Sequence, residues 1–172
     1  LLSRIIACKD VIVCGITQQE IDAYKKDMSP LGYNIKTTLN TEDVTSTCNL
    51  IVTCTPSKTP LLYADQIQKG THITAMGSEN RRRQASRSTR KHQADRVIVD
   101  SIDQSQTRGE CFRAMKNGMI TKKDLIELGV MISNKTLQRE SDEEITVADL
   151  TGVAVQDISI SKAVYEALLS NS

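Results

Sequence analysis

Apolar positions along this chain fall into short β-branched blocks separated by amphipathic stretches. Residues 11–14 read V-I-V-C, a continuous apolar run suited to a strand covered on both faces. Residues 18–28 predict a helix with Ile21, Tyr24 and Met28 on one stripe, and Pro30 and Gly32 then break it. Residues 34–38 read as a second strand. Thr41 opens a short helical turn, and residues 49–54 (N-L-I-V-T-C) form a third strand. Pro56 and Pro60 keep residues 55–60 in a loop. Lys69 and Gly70 mark a turn before a fourth strand at 71–76 (T-H-I-T-A-M), and residues 96–99 (R-V-I-V), ending at Asp100, make a fifth. Further on the pattern turns helical: Thr121 with Asp124 is a capping-box-like start for a helix through Leu128. Residues 144–148 (E-I-T-V-A) predict a last strand. Residues 153–169 predict a long closing helix with Ile158, Val164 and Leu168 turned inward.

Repeated strand–helix units predict an α/β, doubly wound, mostly parallel sheet. Its 172 residues suit one domain with a short appendage. The chain opens inside an apolar pattern (Leu1, Leu2, Ile5, Ile6) with no cap and no Met, which reads as the tail of a helix and predicts an N-terminally truncated fragment. In parallel sheets ligands sit at the carboxyl ends of the strands, so those loops are the ones to read for chemistry.

Composition narrows the classes. Hydrophobic content of 39% and charged content of 25% are ordinary for a soluble globular protein. Aromatic content is 3%, with no Trp and only Phe112 among phenylalanines, which argues against a base-stacking nucleic-acid surface. A net charge of +1 steers the chain to neither DNA nor membrane. The five cysteines are odd in number and lack C-x-x-C spacing, and only His72 and His92 could add imidazoles, so no metal site is expected. They read as reduced core thiols of a cytoplasmic protein. No apolar run approaches the roughly 20 residues that span a bilayer.

The glycines are too far apart for a G-x-G-x-x-G dinucleotide fingerprint. If the chain is a fragment, that loop lay upstream and the strand at 11–14 is the second of the fold. Its end should then select the ribose, by an acid for a 2′-hydroxyl or an Arg for a 2′-phosphate. Cys14-Gly15-Ile16-Thr17 supplies neither; Thr17 or Gln18 could offer a hydrogen bond, and a plain turn fits equally. Thr53-Cys54-Thr55-Pro56-Ser57 places three hydroxyls at a strand exit, where small polar groups let a flat ring approach. Met76-Gly77-Ser78-Glu79 follows the fourth strand; Gly77 permits close backbone approach, and Glu79 is either a solvated carboxylate or a general acid/base beside a nicotinamide. In Asp149-Leu150-Thr151-Gly152, Asp149 or Thr151 would cap the closing helix, whose N-terminus could also face an anion.

Four ordered stretches resemble the ornithine cyclodeaminase/mu-crystallin family: I-V-T-C-T-P-S (51–57), K-G-T-H-I-T-A-M-G-S (69–78), A-D-R-V-I-V-D-S (94–101) and S-D-E-E-I-T-V-A-D-L-T-G-V-A-V-Q-D (141–157). The resemblance implies a Rossmann-like domain inserted into a substrate and dimerisation domain. Residues 1–150 would be a partial NAD(P)-binding domain without its first strand and glycine loop, and residues 151–172 a helix returning to the substrate/dimerisation domain. It implies NAD as cofactor (NADP possible), a small amino-acid substrate and a homodimer at full length. The implied chemistry is hydride removal from the α-carbon of ornithine, cyclisation with loss of ammonia, and hydride return to give proline. Relatives run alanine dehydrogenase, ketimine reductase or opine-type reactions in the same kind of site. By position, Thr55, Met76, Gly77, Ser78, Arg83 and Leu150 resemble the cofactor-contacting set and Thr151 the substrate-lining residue. Glu79 falls on the proton donor/acceptor, and Gly15 falls where NAD-preferring members carry Asp.

Departures qualify the match. Glu79 is one methylene longer than the family's Asp, and a misplacement of about 1 Å can cost on the order of a hundredfold in rate. Leu150 replaces a usual Ser. Residues 80–93 (N-R-R-R-Q-A-S-R-S-T-R-K-H-Q) carry six Arg/Lys where the family has a Pro/Lys/Glu-Leu loop and a short helix. That segment reads as a solvated charged loop, a local reading-frame slip or a phosphate- or nucleic-acid-binding patch. Three functions therefore stand at the level of sequence: an NAD(P)-dependent cyclodeaminase or amino-acid/imine oxidoreductase, a non-catalytic binding protein or degenerate remnant, and a nucleic-acid-binding module.

Overall fold

A computed structural model describes residues 5–55, 61–76 and 94–170. Seven strands are present among them: β1 (Asp10–Cys14), β2 (Asn34–Thr38), β3 (Leu50–Thr53), β4 (His72–Met76), β5 (Arg96–Val99), β6 (Leu125–Glu127) and β7 (Thr146–Leu150). Every strand pairing is parallel. Five strands form one sheet in the order β3-β4-β7-β5-β6, and β1 and β2 form a separate two-stranded ladder. The expected parallel α/β architecture is therefore present, divided between two separate ladders.

Helices fill the connections: α1 (Gln18–Met28), α2 (Thr41–Thr45), α3 (Ile102–Ser105), α4 (Gly109–Lys116), α5 (Leu128–Ser133) and α6 (Ala154–Ser170). Local chemistry sets their ends. Thr17 and Glu20 make a reciprocal capping box on α1. Asn40 caps α2, its side chain accepting from the Glu42 N–H at 3.0 Å. Thr121 and Asp124 form a capping box as expected, but it opens a single 3-10 turn. The chain then extends into β6, which pairs with β5, where a continuous helix had been expected. A tertiary ladder overrides a weak local helix signal there. The last strand also sits two residues further along than its expected 144–148.

Strand register puts Ile51, Ile73, Val147, Val97, Val99 and Leu125 on one face of the sheet. Two clusters grow from that face. Ile51, Leu62, Ile73 and Val147 pack with Val44 of α2 and with Ile67. Val97, Val99 and Leu125 pack with Cys111 and Ala114 of α4 and with Ile120. Each such aliphatic side chain contributes about 1.5–3 kcal/mol by leaving water. The opposite face is open at its β3–β4 side among the described residues, where Leu50, Val52 and Met76 are exposed.

Two expectations about packing do not hold. Ile158, Val164 and Leu168 point to solvent rather than inward, and α6 has no buried residue. A helix apolar on more than one face needs cover that the described residues do not supply. Only Cys111 of the five cysteines is buried; Cys8 and Cys54 are exposed and Cys14 and Cys48 half-buried, all free thiols. Among the described residues no helix is long and apolar enough to cross a membrane, and no His/Cys/Asp/Glu group could hold a metal ion.

Candidate functional site at the carboxyl rim of the sheet

Because the strands of the five-stranded sheet run parallel, their carboxyl ends share one rim. Thr55 lies two residues beyond β3 and is exposed. Met76 ends β4 and is 51% exposed. It is the register partner of Leu150, the last residue of β7, which is half-buried. Thr151 follows directly. The fold thus gathers Thr55, Met76, Leu150 and Thr151 on three adjacent strands. Gly15 and Thr17 stand at the carboxyl end of β1, in the separate β1–β2 ladder. Gly77, Ser78, Glu79 and Arg83, and the basic segment 80–93, lie outside the described residues.

Thr17 is engaged as the N-cap of α1, its hydroxyl accepting from the Glu20 N–H at 3.3 Å. Gly15 is crowded: a Cβ there would stand 2.5 Å from Ile21 Cγ2. Thr151 is 4% exposed. Its hydroxyl donates to Asp100 Oδ1 at 3.0 Å and accepts from Gln104 Nε2 at 2.7 Å. Asp100 Oδ2 accepts from the Gly152 N–H at 2.6 Å, and Gln104 also donates to the Gly152 carbonyl at 2.6 Å. Thr151 and Gly152 are therefore clamped from β5 and α3 before the chain enters α6. Neither Asp149 nor Thr151 caps α6, as the sequence had suggested; both side chains are held by other partners.

Asp149 is the strongest electrostatic feature of the rim. It is 0% exposed. Its Oδ2 accepts from the Cys111 backbone N–H at 2.7 Å. The N-cap of α4, Arg108, has no capping side chain of its own. Asp149 thus serves from a neighbouring strand as the anion at that helix N-terminus. The chain passes close to it at Gly109, where φ is +89° and a Cβ would lie 2.6 Å from Asp149 Oδ2 and 2.7 Å from Thr151 Cγ2. Only glycine fits that approach. Burial pushes the Asp149 carboxyl up to about 6, against the pull of the Cys111 N–H. The same burial, with Asp149 beside it, drives the Cys111 thiol far up, so it is no nucleophile.

Among the described residues, two buried oxygens in this layer have no hydrogen-bond partner: Asp149 Oδ1 and Thr53 Oγ1. Thr53, Ala75 and Asp149 occupy one register row across β3, β4 and β7, with the small Ala75 between the two polar residues. His72, by contrast, lies at the amino end of β4 with both ring nitrogens occupied by Thr146 (2.7 Å) and Thr74 (3.1 Å), away from the rim. Sequence reasoning missed Asp100, Gln104 and the true role of Asp149. Asp100 was visible only as the acid ending an apolar strand, and Gln104 gave no local signal.

A profile of the ornithine cyclodeaminase/mu-crystallin family matches residues 1–172. Over 128 residues the chain is 38% identical to an alanine dehydrogenase of Archaeoglobus fulgidus, covering 74% of this chain and 39% of that protein. It is 36% identical over 129 residues to a Delta(1)-pyrroline-2-carboxylate reductase of Bacillus cereus, covering 74% and 39%. Among solved structures, an archaeal alanine dehydrogenase dimer with bound NAD superposes with a TM-score of 0.90 at 30% identity, covering 99% of this chain and 52% of that one. The iminosuccinate reductase of Paracoccus denitrificans in complex with NAD+ gives 0.84 at 27% identity, covering 95% and 50%. The chain thus spans 39% of the length of those two curated relatives, and about half that of the solved ones.

Proposed function

The chain belongs to the ornithine cyclodeaminase/mu-crystallin family, and from that membership we propose that it supplies the dinucleotide-binding part of an NAD-dependent oxidoreductase interconverting an α-amino acid and its imine. The observation that carries this reading is the convergence of Thr55, Met76, Leu150 and Thr151 on one rim of parallel strands. The residues present fit such a cofactor. Among the described residues, the β3 exit holds a buried hydroxyl without a partner at Thr53, and Thr55 and Met76 beside it are exposed. When bound, NAD supplies a hydride acceptor or, reduced, a hydride donor.

In this reading Gly15 and Thr17 stand at the adenosine side, and Thr55, Met76, Gly77, Ser78, Arg83 and Leu150 line the cofactor edge. Glu79, three residues past the end of β4 in sequence, holds and returns the proton at the reacting nitrogen or carbon. Thr151, clamped by Asp100 and Gln104, sets the position of the substrate side. The separation of the β1–β2 ladder from the five-stranded sheet suits an additional parallel strand bearing the phosphate-binding glycines. Residues 1–150 then form the cofactor domain. Residues 151–172 return to a second domain through α6, whose uncovered apolar faces suit burial against that domain in a homodimer.

The test is turnover by the full-length gene product. Pyruvate with ammonia, Δ1-pyrroline-2-carboxylate and iminosuccinate are offered with NADH, and ornithine with NAD, following the absorbance of reduced nicotinamide. Oxidation of NADH with at least one imine is expected. Proline and ammonia from ornithine would assign the cyclising reaction. A folded product that neither binds a dinucleotide nor turns over any of these substrates would refute the proposal.

A further inference from the structure

The carboxyl end of β1 carries no charged side chain through Cys14-Gly15-Ile16-Thr17. In dinucleotide folds this position selects the adenosine ribose, by an acid toward a 2′-hydroxyl or by Arg toward a 2′-phosphate. Gly15 has no room for either, since even a Cβ would overlap the buried Ile21. Ile16 offers only hydrocarbon and is 74% exposed.

Charge reaches this rim from the neighbouring strand. Thr38 ends β2 and is the register partner of Cys14. Its carbonyl accepts from the Gly15 N–H at 3.4 Å. Its hydroxyl accepts from the Asn40 N–H at 3.0 Å and donates to Asp43 Oδ2 on α2. Asp43 is exposed, and its other oxygen has no hydrogen-bond partner among the described residues. The carboxylate is felt at β1: the Cys14 thiol is pushed up by burial and then by the charge of Asp43. A second acid belongs to the turn after β1, where Glu20 Oε2 accepts from the Thr17 N–H at 3.3 Å. Among the described residues no Lys or Arg is paired with either acid.

Resting on the cofactor reading above, we propose that Asp43, held by Thr38, is the ribose selector of this chain and makes it prefer NAD over NADP. Its free oxygen accepts from a ribose hydroxyl, and its charge opposes a 2′-phosphate. The residue that normally does this at the end of β1 has been replaced by a position closed to any side chain, and the acid comes from α2 instead.

Calorimetric titration of the full-length gene product with NAD and NADP tests this without reference to turnover. The wild type should bind NAD more tightly than NADP. Asp43→Asn should cut that preference roughly five- to tenfold, the scale of one exposed like charge facing a doubly charged phosphate. Asp43→Lys should reverse it. Asp43 is exposed, so both variants should keep the wild-type circular dichroism melt. A wild type that prefers NADP, or an Asp43→Asn protein that binds NAD with an unchanged preference, overturns the assignment of Asp43. Failure of the wild type to bind either dinucleotide overturns instead the cofactor reading on which it rests.

Discussion

Replacing Asp149 with Asn isolates the cost of burying a carboxylate in the middle of the sheet. In the folded chain Asp149 holds its proton up to about pH 6, against an ordinary value of 3.8. Between those values the folded state binds more protons than the unfolded state, so this residue's contribution to stability falls as pH rises. Below about pH 4 both states are protonated and the contribution is neutral. Above about pH 6 the full penalty applies. A displacement of about two units, at 1.36 kcal/mol each, gives a penalty of about 3 kcal/mol. Asn keeps a carbonyl to accept from the Cys111 N–H but cannot ionise. The assay is urea unfolding of both proteins from pH 4 to pH 8. The quantity to plot is wild-type stability minus variant stability, because the other carboxylates cancel in it. That difference should fall by about 3 kcal/mol between pH 4 and pH 6.5 and stay level above. A difference that is flat, or that rises with pH, would show that Asp149 is not a desolvated acid and would sink the account of the α4 N-terminus built on it.

Three other outcomes follow from the same geometry. Gly109→Ala places a methyl 2.6 Å from Asp149 Oδ2 at a φ of +89°, and should cost about 2–4 kcal/mol in a thermal or urea melt, overpacking and backbone strain combined. Gly15→Ala meets the β-branched Ile21 at 2.5 Å and should cost about 1–3 kcal/mol; an unchanged melt would mean that α1 shifts freely on β1. Gln104→Ala removes both hydrogen bonds that α3 makes to Thr151 and Gly152, and should lower stability by about 1–3 kcal/mol. If the Thr151 loop lines the cofactor, the same variant should also weaken NAD binding in a calorimetric titration of the full-length product.

Much of this architecture was legible along the chain. The runs V-I-V-C, L-I-V-T and R-V-I-V are β-branched and continuous and do form strands, though of the three only R-V-I-V is covered on both faces among the described residues; V-I-V-C is half-buried and L-I-V-T exposes Leu50 and Val52. The caps at Thr17 and Thr121 were equally local, because a capping box involves residues three apart. What was misread depended on distant partners. Residues 125–127 become β6 because β5 offers a free edge, which no window around Leu125 contains. Ile158, Val164 and Leu168 carry a core-like pattern, yet the described chain provides no surface for them.

The sequence by itself determined that the strands would be parallel and that Thr55, Met76, Leu150 and Thr151 would lie at or just beyond strand ends, because periodicity and turn chemistry are short-range. Only the tertiary structure decided that β7, last in the chain, lies between β4 and β5. That insertion puts Asp149 at the N-terminus of α4 and locks Thr151 to Asp100 and Gln104. The reason is physical: a strand's pattern fixes what its faces require, but its neighbours come from which edges remain unpaired once the whole chain has collapsed.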